Sequence, residues 1–446
     1  MRPSGWLKPY EIRQDRMNPV VVIPTIFQSV RKKNRQSDDP CARYDHPSNP
    51  GRADELRRCL QSLRFVRDLG RIMVIVSGED DCLQEAAATV EATVNEFPDL
   101  DILVISEPEN RLIHQRLAQL GVDDMEKAVG TTGYAAIRNL GLVASAVLGH
   151  DAVVFLDDDE VVDDPDFLHA AMYGLGKLTK RGVPILAKSG FYYNTDGTYL
   201  SMSQNKWYNR HWQQGRTFNK WIEQAMYGAR LSRSNHVCGG CLALHQEAFK
   251  RLAFDPWIPR GEDLDYMLSL RMYGSNIWFD NQWSLRHLPP ETADEGQRFL
   301  QDIYRWLYEY RKLEFSRTQI DLLQIPPSSL QPYPGPFLQP GLTKRIKKTA
   351  FRRSLTRPNK RSYRMAAKAA TNEAATYAEE NCSKYFEFQY VWPELMNRVT
   401  GDGILSTALL QSVELRRRHL GIEAQPAPVY SIDPGTTGEI RLNIAD

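Results

Sequence analysis

The sequence predicts an α/β protein with a mostly parallel central sheet, helices on both faces of that sheet, and a mainly helical C-terminal region. In the first third of the chain, apolar runs of strand length alternate with segments of helical periodicity. This βαβα alternation is typical of parallel sheets whose two faces are both covered. A proline-rich stretch then precedes the helical region, which begins at about residue 342.

The elements of the predicted sheet follow from the spacing of apolar residues. Apolar runs of four or five residues predict strands at 20–24, 72–76, 102–105 and 152–156. Apolar residues at helical spacing predict the intervening helices, at 54–69, 82–97 and 134–148. Ligands of such sheets bind outside the carboxyl ends of the strands, so the residues after Pro24, Val76 and Leu156 are the first candidates for a site.

The rest of the chain is less regular. A polar insertion covers 27–50, and aromatic residues become frequent after about residue 195. The prolines of 325–341 predict a semi-rigid linker, which makes this stretch the best domain boundary. Further helices are expected at 364–380 and 404–420, with a loosely structured tail from Gly421.

Length and composition are those of an ordinary globular protein. The 446 residues suggest two domains or one domain with an appendage, and the formal net charge of +1 provides no global field for nucleic acid or membranes. The polar N-terminus, MRPSGWLKPYEIRQDRMNPV, lacks the apolar stretch of a signal peptide. No window approaches the roughly 18 apolar residues that a spanning helix needs. We therefore expect a cytoplasmic protein, or one that binds a membrane peripherally.

Six scattered cysteines do not form a disulfide framework for so long a chain. Cys238 and Cys241 form a CxxC pair, but a structural zinc site would need a second ligand pair at similar spacing, which the sequence lacks. A redox pair would open a helix, whereas VCGGCLALH is typical of extended chain. We interpret both cysteines as small buried thiols.

Four acids follow the fourth predicted strand without interruption: Asp157, Asp158, Asp159 and Glu160. Adjacent carboxylates repel one another unless solvent or a cation relieves the repulsion. Magnesium and manganese take oxygen ligands and bridge carboxylates to phosphates, which would neutralise a departing diphosphate. The alternative interpretation is a solvated acidic turn before a helix, and it explains Asp163 and Asp164 better than the first three aspartates.

A second acidic group lies in RGEDLDYMLSLRMYG, where Glu262 and Asp263 fall in the first turn of a predicted helix. Acids at a helix start are commonly explained by the helix dipole. A carboxylate on a rigid helix start is also well placed as a general base. His287 follows shortly after, and a lone histidine is more often structural than a ligand, although an imidazole would suit a metal already suspected nearby.

Together, the strand that ends in DDD, the stretch VCGGCLALHQEAF and the stretch GEDLDYMLSLRMYG resemble glycosyltransferase family 2 and its GT-A relatives. GYAAIRNLGLVAS, just before the acidic strand, resembles the small-residue helix of that family, which carries an Arg-Asn pair. The resemblance covers roughly 19–290 and does not extend to the proline-rich stretch or the region after it. It implies a Rossmann-like GT-A fold and transfer of a sugar from a nucleotide-diphosphate donor to a hydroxyl acceptor.

The resemblance implies roles for particular residues. Asp157 and Asp159 match the outer positions of the DxD motif that holds Mn²⁺ or Mg²⁺ on the donor diphosphate, and His287 stands where several GT-A families place a further metal ligand. Asp263 matches the base of inverting members, and Glu262 would help to hold the acceptor. The positions that match donor-binding ones are Pro24, Thr25, Arg138, Asp157 and Asp158.

The sequence departs from the family pattern in three respects. The aspartate that usually ends the second strand and contacts the nucleobase is replaced by Ser77-Gly78-Glu79-Asp80, so Glu79 or Asp80 would have to take over that contact. The insertion after the first strand is longer than usual. A QxxRW segment is absent, which argues against a processive synthase.

The resemblance also implies a division of the chain. We expect an N-terminal extension over 1–18, a GT-A domain over 19–325, a linker over 326–341 and a helical region with a loose tail over 342–446. The donor half of the GT-A domain would cover about 19–160, and the acceptor half about 161–325.

Two further groups of residues bear on the acceptor. Nine aromatic residues between Phe191 and Trp221 would either bind a sugar or pack a loop-rich subdomain. The basic stretch 344–364 has no acid and is interpreted as a solvated surface, an anionic membrane contact or a contact with a phosphorylated acceptor. Nucleic acid is not expected, because nothing nearby resembles a base-reading module.

Three alternatives to an inverting transferase remain at this stage. A retaining GT-A enzyme acting on a small acid such as a glycerate would share the DxD motif and the histidine. Nucleotidyl transfer normally requires a glycine-rich basic loop after the first strand, and PTIFQSVRKKNRQ has no glycine. A catalytically inactive glycan-binding relative would be expected to have lost its acidic residues, which this chain retains.

Overall fold

A computed structural model of the chain describes residues 16–28, 40–44, 47–78, 81–122, 124–202, 206–290, 295–419 and 442–443. Within these residues, ten strands form one sheet. In chain order the strands are β1 (Pro19–Phe27), β2 (Ile72–Gly78), β3 (Ile102–Ile105), β4 (Ala152–Phe155), β5 (Glu160–Val161), β6 (Ala187–Tyr193), β7 (Leu231–Arg233), β8 (Leu242–His245), β9 (Ile277–His287) and β10 (Leu442–Asn443).

Helices follow the strands through the first two thirds of the chain and dominate the last third. The earlier helices are α1 (Asp54–Leu63), α2 (Leu83–Val94), α3 (Glu107–Gln119), α4 (Tyr134–Val147), α5 (Phe167–Met172), α6 (Gln214–Met226), α7 (Gln246–Phe249), α8 (Glu262–Met272) and α9 (Glu295–Ser316). The C-terminal helices are α10 (Leu342–Thr356), α11 (Lys360–Ala369), α12 (Glu373–Asn381), α13 (Lys384–Val399) and α14 (Gly403–His419).

The strand order is β10-β7-β9-β6-β8-β4-β1-β2-β3, with β5 paired to β9. β1 lies parallel to both β2 and β4, and β2 lies parallel to β3, so four consecutive strands end at the same edge. β8 runs antiparallel between β4 and β6. The predicted architecture is confirmed: the sheet is mixed but mostly parallel, with helices on both faces, and the C-terminal region is helical.

Both faces of the sheet are buried, as the continuous apolar runs predict. Along β1, Val20 and Val22 pack into one hydrophobic core, while Val21 and Ile23 pack into the core on the opposite face. This follows from the two-residue period of a strand. The predicted elements of this part agree with the structure to within about three residues at their ends, except that α1 ends at Leu63 and not at residue 69, and α3 and α9 were not predicted.

The proline-rich segment differs from the expected spacer, because it is packed. It contains two short 3-10 helices, and Leu330, Tyr333 and Phe337 are at most 3% exposed. These side chains lie in the same core as residues of α9, α10 and α13. The C-terminal helices therefore extend the hydrophobic core of the sheet, while the division of the chain into domains stays a prediction.

One expectation for the C-terminal region is corrected. The single helix predicted over 364–380 is two helices, α11 and α12, with Asn372 at the N-cap position of the second. Asparagine favours that position over a helix interior, although the side chain of Asn372 makes no capping bond here. Of the tail that was expected to be loose, the structure describes only β10, which pairs with β7 in parallel, so this expectation stays a prediction.

A buried ionic cluster fixes α9 against α8. Nζ of Lys312 lies 2.8 Å from Oδ2 of Asp255 and 2.7 Å from Oδ2 of Asp265, and all three side chains are almost completely buried. A buried ammonium is tolerated only when carboxylates neutralise it. This contact sets the position of α9, whose N-terminal half faces the cleft described below. None of the described helices is both long and apolar enough to cross a bilayer.

Candidate active site

The acidic cluster lies at the carboxyl end of β4, and the pairing of β5 with β9 brings His287 to it. Glu160 is opposite His287 in that antiparallel pair, and the backbone N–H of Leu288 donates to the carbonyl oxygen of Asp159 at 3.0 Å. As a result, Nε2 of His287 lies 3.3 Å from Oδ2 of Asp159. Backbone pairing thus joins two residues that are far apart in the sequence.

The end of β1 contributes a second contact to the cluster. The hydroxyl of Thr25 donates to Oδ2 of Asp158, and Pro24 lines the same cleft. Burial, followed by the charge of Asp159, raises the pKa of Asp158 well above its usual value. Burial and the charge of Asp157 likewise raise the pKa of Glu160. Both carboxyl groups therefore keep their protons to a higher pH than exposed carboxyl groups do.

Arg138 of α4 joins the two acidic motifs. Its Nε donates to Oε1 of Glu262 at 2.9 Å, and its Nη2 donates to Oδ1 of Asp157 at 3.2 Å. A third bond runs from Nη1 to the carbonyl oxygen of Gly239 at 3.1 Å. Its guanidinium also lies over the ring of Phe155, 4.9 Å from the centroid. Arg138 is only 5% exposed, so these bonds form in an environment of low polarity, where they are strong.

The start of α8 places Glu262 and Asp263 in the same cleft. Glu262 is 6% exposed and directs one oxygen to Arg138. Asp263 is partly exposed, and its Oδ1 accepts from the backbone N–H of Leu264 at 2.6 Å. The cleft has a volume of about 280 Å³ and is lined by residues from both acidic motifs, among them Pro24, Arg138, Asp157, Asp158, Asp159, Glu262, Asp263 and His287.

Glycines make room for this arrangement. A Cβ on Gly240 would lie 1.9 Å from Oε2 of Glu160, so a larger residue would displace the acid from its place behind the cluster. Gly261, with φ +75°, would place a Cβ 2.1 Å from Cζ of Arg305. Both the CGGC stretch and the turn before α8 therefore require glycine for close approach. Cys238 and Cys241 are buried, as interpreted from the sequence, and burial raises the pKa of both thiols.

The chemistry of the side chains suits a hard divalent cation. Carboxylate oxygens of Asp157 and Asp159 and the imidazole of His287 border one cleft, and this donor set is typical of manganese or magnesium. In the part of the chain that the structure describes, no three His, Cys, Asp or Glu side chains are already placed to hold a metal ion. Arg138 holds only Oδ1 of Asp157.

A second and larger cavity, of about 700 Å³, adjoins the cleft. The two share several lining residues, including Tyr192, His236, His287 and Arg305. Of the aromatic residues between Phe191 and Trp221, some pack in the core and others line the second cavity. Phe191 and Trp221 are at most 5% exposed and pack in the core, whereas Tyr192, Tyr208 and Phe218 line the second cavity.

His236 contributes no charge to this junction. Burial and then the charge of Arg305 lower the pKa of His236 to about 3, so its imidazole is neutral at pH 7. Its ring packs against Phe218, with centroids 4.8 Å apart. The positive charges of the second cavity therefore come from arginines.

Several residues of the site were not predicted from the sequence. Glu160 was seen as part of the acidic run but received no role, although it accepts from the backbone N–H of Asp157 at 2.9 Å. Arg305 lies in α9, a helix that the apolar spacing did not predict. The sequence signal that could have identified Arg305 is the Arg-Trp pair at 305–306, which follows Gln301 closely. Tyr192 was counted only among the aromatic residues. The predicted donor residue Glu79, and Asp80 beside it, lie outside the described residues.

No protein-family model matches the chain, and no curated protein sequence matches it. Solved structures of similar shape include the mannosyltransferase PcManGT from Pyrobaculum calidifontis in complex with GDP-Man and Mn²⁺. It shows 14% identity and a TM-score of 0.41, with 90% of each chain covered. A second is GalNAc-T7 with UDP, GalNAc and Mn²⁺, at 12% identity and a TM-score of 0.35, covering 78% of this chain and 59% of that one.

A third similar structure is mouse xyloside xylosyltransferase 1 in its apo form. It shows 13% identity and a TM-score of 0.26, covering 61% of this chain and 78% of that one. At these identities and scores, the likenesses do not define what this chain does. Any conclusion about activity therefore rests on the side chains of the cleft.

Proposed function

We propose that the protein is a metal-dependent glycosyltransferase that moves a sugar from a nucleotide-diphosphate donor to a hydroxyl acceptor, with inversion at the anomeric carbon. The observation that carries the proposal is that two acidic motifs, about a hundred residues apart in the sequence, line one cleft and are bridged by Arg138. An inverting displacement needs a base on one side of the sugar and charge neutralisation of the leaving group on the other.

The acidic cluster forms the donor side. Asp157 and Asp159, with His287, would hold Mn²⁺ or Mg²⁺. When bound, the cation supplies positive charge for the diphosphate as it leaves. Pro24 and Thr25 border this side at the end of β1, where the nucleoside would lie. Donor binding would occupy mainly the half of the domain from about residue 19 to 160, and acceptor binding the half from 161 to 325.

Asp263 is the proposed base. Its carboxylate would accept the proton of the acceptor hydroxyl while the oxygen attacks the anomeric carbon and the bond to the diphosphate breaks. Its Oδ1 is fixed by the N–H of Leu264, which orients the carboxylate at a rigid helix start. The role predicted for Glu262, holding the acceptor, stays a proposal. One of its oxygens binds Arg138, so the residue also positions the arginine.

Metal-dependent donor binding is the first test. We expect a panel of nucleotide sugars to raise the melting temperature only when Mn²⁺ is present, because a ligand that binds the folded state alone stabilises it by about 2.7 kcal/mol at 100 times its Kd. Chelation or Asp159→Asn should abolish the shift, since both remove the cation that joins the protein to the diphosphate. The shift is read by differential scanning fluorimetry.

The matched control for this test is Asp164→Asn, which makes the same chemical change at an exposed position of the neighbouring acidic pair. It should retain the full shift. A shift that survives both chelation and Asp159→Asn would contradict the role assigned to the metal.

The base is tested by donor turnover with water as the acceptor. Asp263→Asn should lower the rate of nucleoside diphosphate release by about 10²–10⁴-fold, the usual contribution of a general base. The melting-temperature shift by donor and Mn²⁺ should remain. Proton NMR at early times should show that the released sugar has the anomeric configuration opposite to that of the donor. Release of the same anomer would favour the retaining alternative and remove the role of base from Asp263.

The membrane contact predicted for 344–364 is also a proposal. Phe351 and Leu355 of α10 are 64% and 60% exposed, and Lys347 and Lys348 are exposed on the same helix. Apolar side chains next to lysines suit the surface of an anionic bilayer.

This contact predicts co-sedimentation with phosphatidylserine vesicles and much less with phosphatidylcholine vesicles. Each lysine near an anionic surface contributes about 1 kcal/mol, so Lys347→Gln with Lys348→Gln should weaken binding by about 30-fold. Lys180→Gln with Arg181→Gln, an exposed pair outside the basic stretch, is the control. Equal sedimentation of both double variants would exclude the contact.

A further inference from the structure

The second cavity carries an unusual concentration of positive charge for a chain whose formal net charge is +1. Among its described lining residues are six arginines and two acids: Arg216, Arg260, Arg298, Arg305, Arg353, Arg357, Glu295 and Asp302. The arginines come from α6, α9, α10 and the loops before α8 and α11, so the fold gathers them from distant parts of the sequence.

Both acids are already engaged. Asp302 accepts from Nη1 of Arg260 at 3.2 Å, and Glu295 forms an ion pair with Arg357. Among the described residues, the four other arginines of the cavity have no carboxylate within salt-bridge distance. The cavity therefore holds four arginines outside ion pairs, next to the proposed acidic site.

Arg305 is the most informative of the four. It is 8% exposed, and its buried Nε has no hydrogen-bond partner. Its guanidinium lies over Trp306, 4.9 Å from the ring centroid, and against Gly261, and it lines both the cleft and the second cavity. Asp263, Glu309 and Asp302 are near enough for their charges to act on Arg305, but none of them is within ion-pair distance. A buried guanidinium without a direct ion-pair partner is costly, so its place between the cavities is best explained by an anion that binds there.

The other three arginines surround the rest of the cavity. Arg353 is 9% exposed and is held by Oδ1 of Asn209 at 3.0 Å and by the ring of Phe299, so its charge is fixed in position. Arg216 and Arg298 are exposed and lie on α6 and α9. Such an array of guanidinium groups matches the oxygens of a phosphate, which arginine binds in a bidentate manner.

We propose that the second cavity binds an acceptor that carries a phosphate group, held by Arg216, Arg298, Arg305 and Arg353, with its hydroxyl directed toward Asp263. The proposal deepens the proposed function, and it rests on that function only in treating the phosphate-bearing ligand as the acceptor. The phosphate site itself stands on the arginines alone. Asp157, Asp158 and Asp159 line the cleft and not the second cavity, so their charges would repel an acceptor phosphate from the donor side.

The test is calorimetric titration of the full chain with inorganic phosphate at constant ionic strength. We expect binding at one site, and a loss of affinity of about tenfold or more in the Arg216→Gln, Arg298→Gln double variant, because hydrogen bonds to charged groups contribute about 1.5–3 kcal/mol each. Neither side chain is buried, so the variant should fold. Lys180→Gln with Arg181→Gln removes the same charge from exposed positions outside the cavity and should bind phosphate like the unmodified chain.

A second arm distinguishes an acceptor phosphate from the donor diphosphate. The titration is repeated with the cleft saturated by a nucleoside diphosphate and Mn²⁺, and phosphate affinity should be retained. Displacement of phosphate would place it in the donor site and overturn the proposal, as would equal affinity in the two double variants. If the nucleoside diphosphate does not bind at all, the proposed function fails while the phosphate titration still decides on the site.

A third arm identifies the source of the phosphate. Glycerol 3-phosphate and vesicles that contain phosphatidic acid are each used to displace inorganic phosphate. Displacement by the first supports a soluble phosphate ester, and displacement by the vesicles alone supports a lipid. Displacement by neither would overturn the assignment of the cavity to a phosphorylated acceptor.

Discussion

The arrangement of the cleft depends on one buried guanidinium. Arg138 binds Asp157 at the end of β4 and Glu262 at the start of α8, and a third bond to the carbonyl oxygen of Gly239 fixes its plane. Carboxylates crowded in a buried cleft would otherwise take up protons or separate. Because Arg138 neutralises one acid from each motif, the two motifs can share a cleft while Asp159 and Asp263 keep their oxygens for other partners.

The remaining geometry follows from elements that converge on this point. The pairing of β5 with β9 brings His287 to Asp159, and Lys312 fixes α9 against α8, which places Arg305 beside Gly261. As a result, the carboxylates of the cleft adjoin the arginines of the second cavity, three of which, Arg260, Arg298 and Arg305, line both. A reaction in which a cation-bound diphosphate leaves one side and an anionic acceptor approaches from the other suits that distribution.

Much of this could be predicted from the sequence, because its local patterns agree with the fold. The apolar runs and the acids after β4 predicted the sheet, the edge at which the cleft lies and several of the residues that line the cleft. The missing parts depend on contacts between distant residues. Nothing in the spacing of 295–316 shows that Arg305 lies against Gly261, and the prolines of 325–341 suggested a spacer, although Tyr333 and Phe337 are buried. The composition of a segment indicates which local structures it can form, whereas its packing depends on the residues that it contacts in the folded chain.

The central claim, that Asp157, Asp159 and His287 hold a single divalent cation in the cleft, is tested most directly by anomalous diffraction. Crystals grown with Mn²⁺ and a nucleoside diphosphate would be measured at the manganese absorption edge. The account predicts one strong anomalous peak within coordination distance of carboxylate oxygens of both aspartates and of a nitrogen of His287, in contact with the diphosphate. A bound nucleotide with no manganese peak at these three side chains would contradict it.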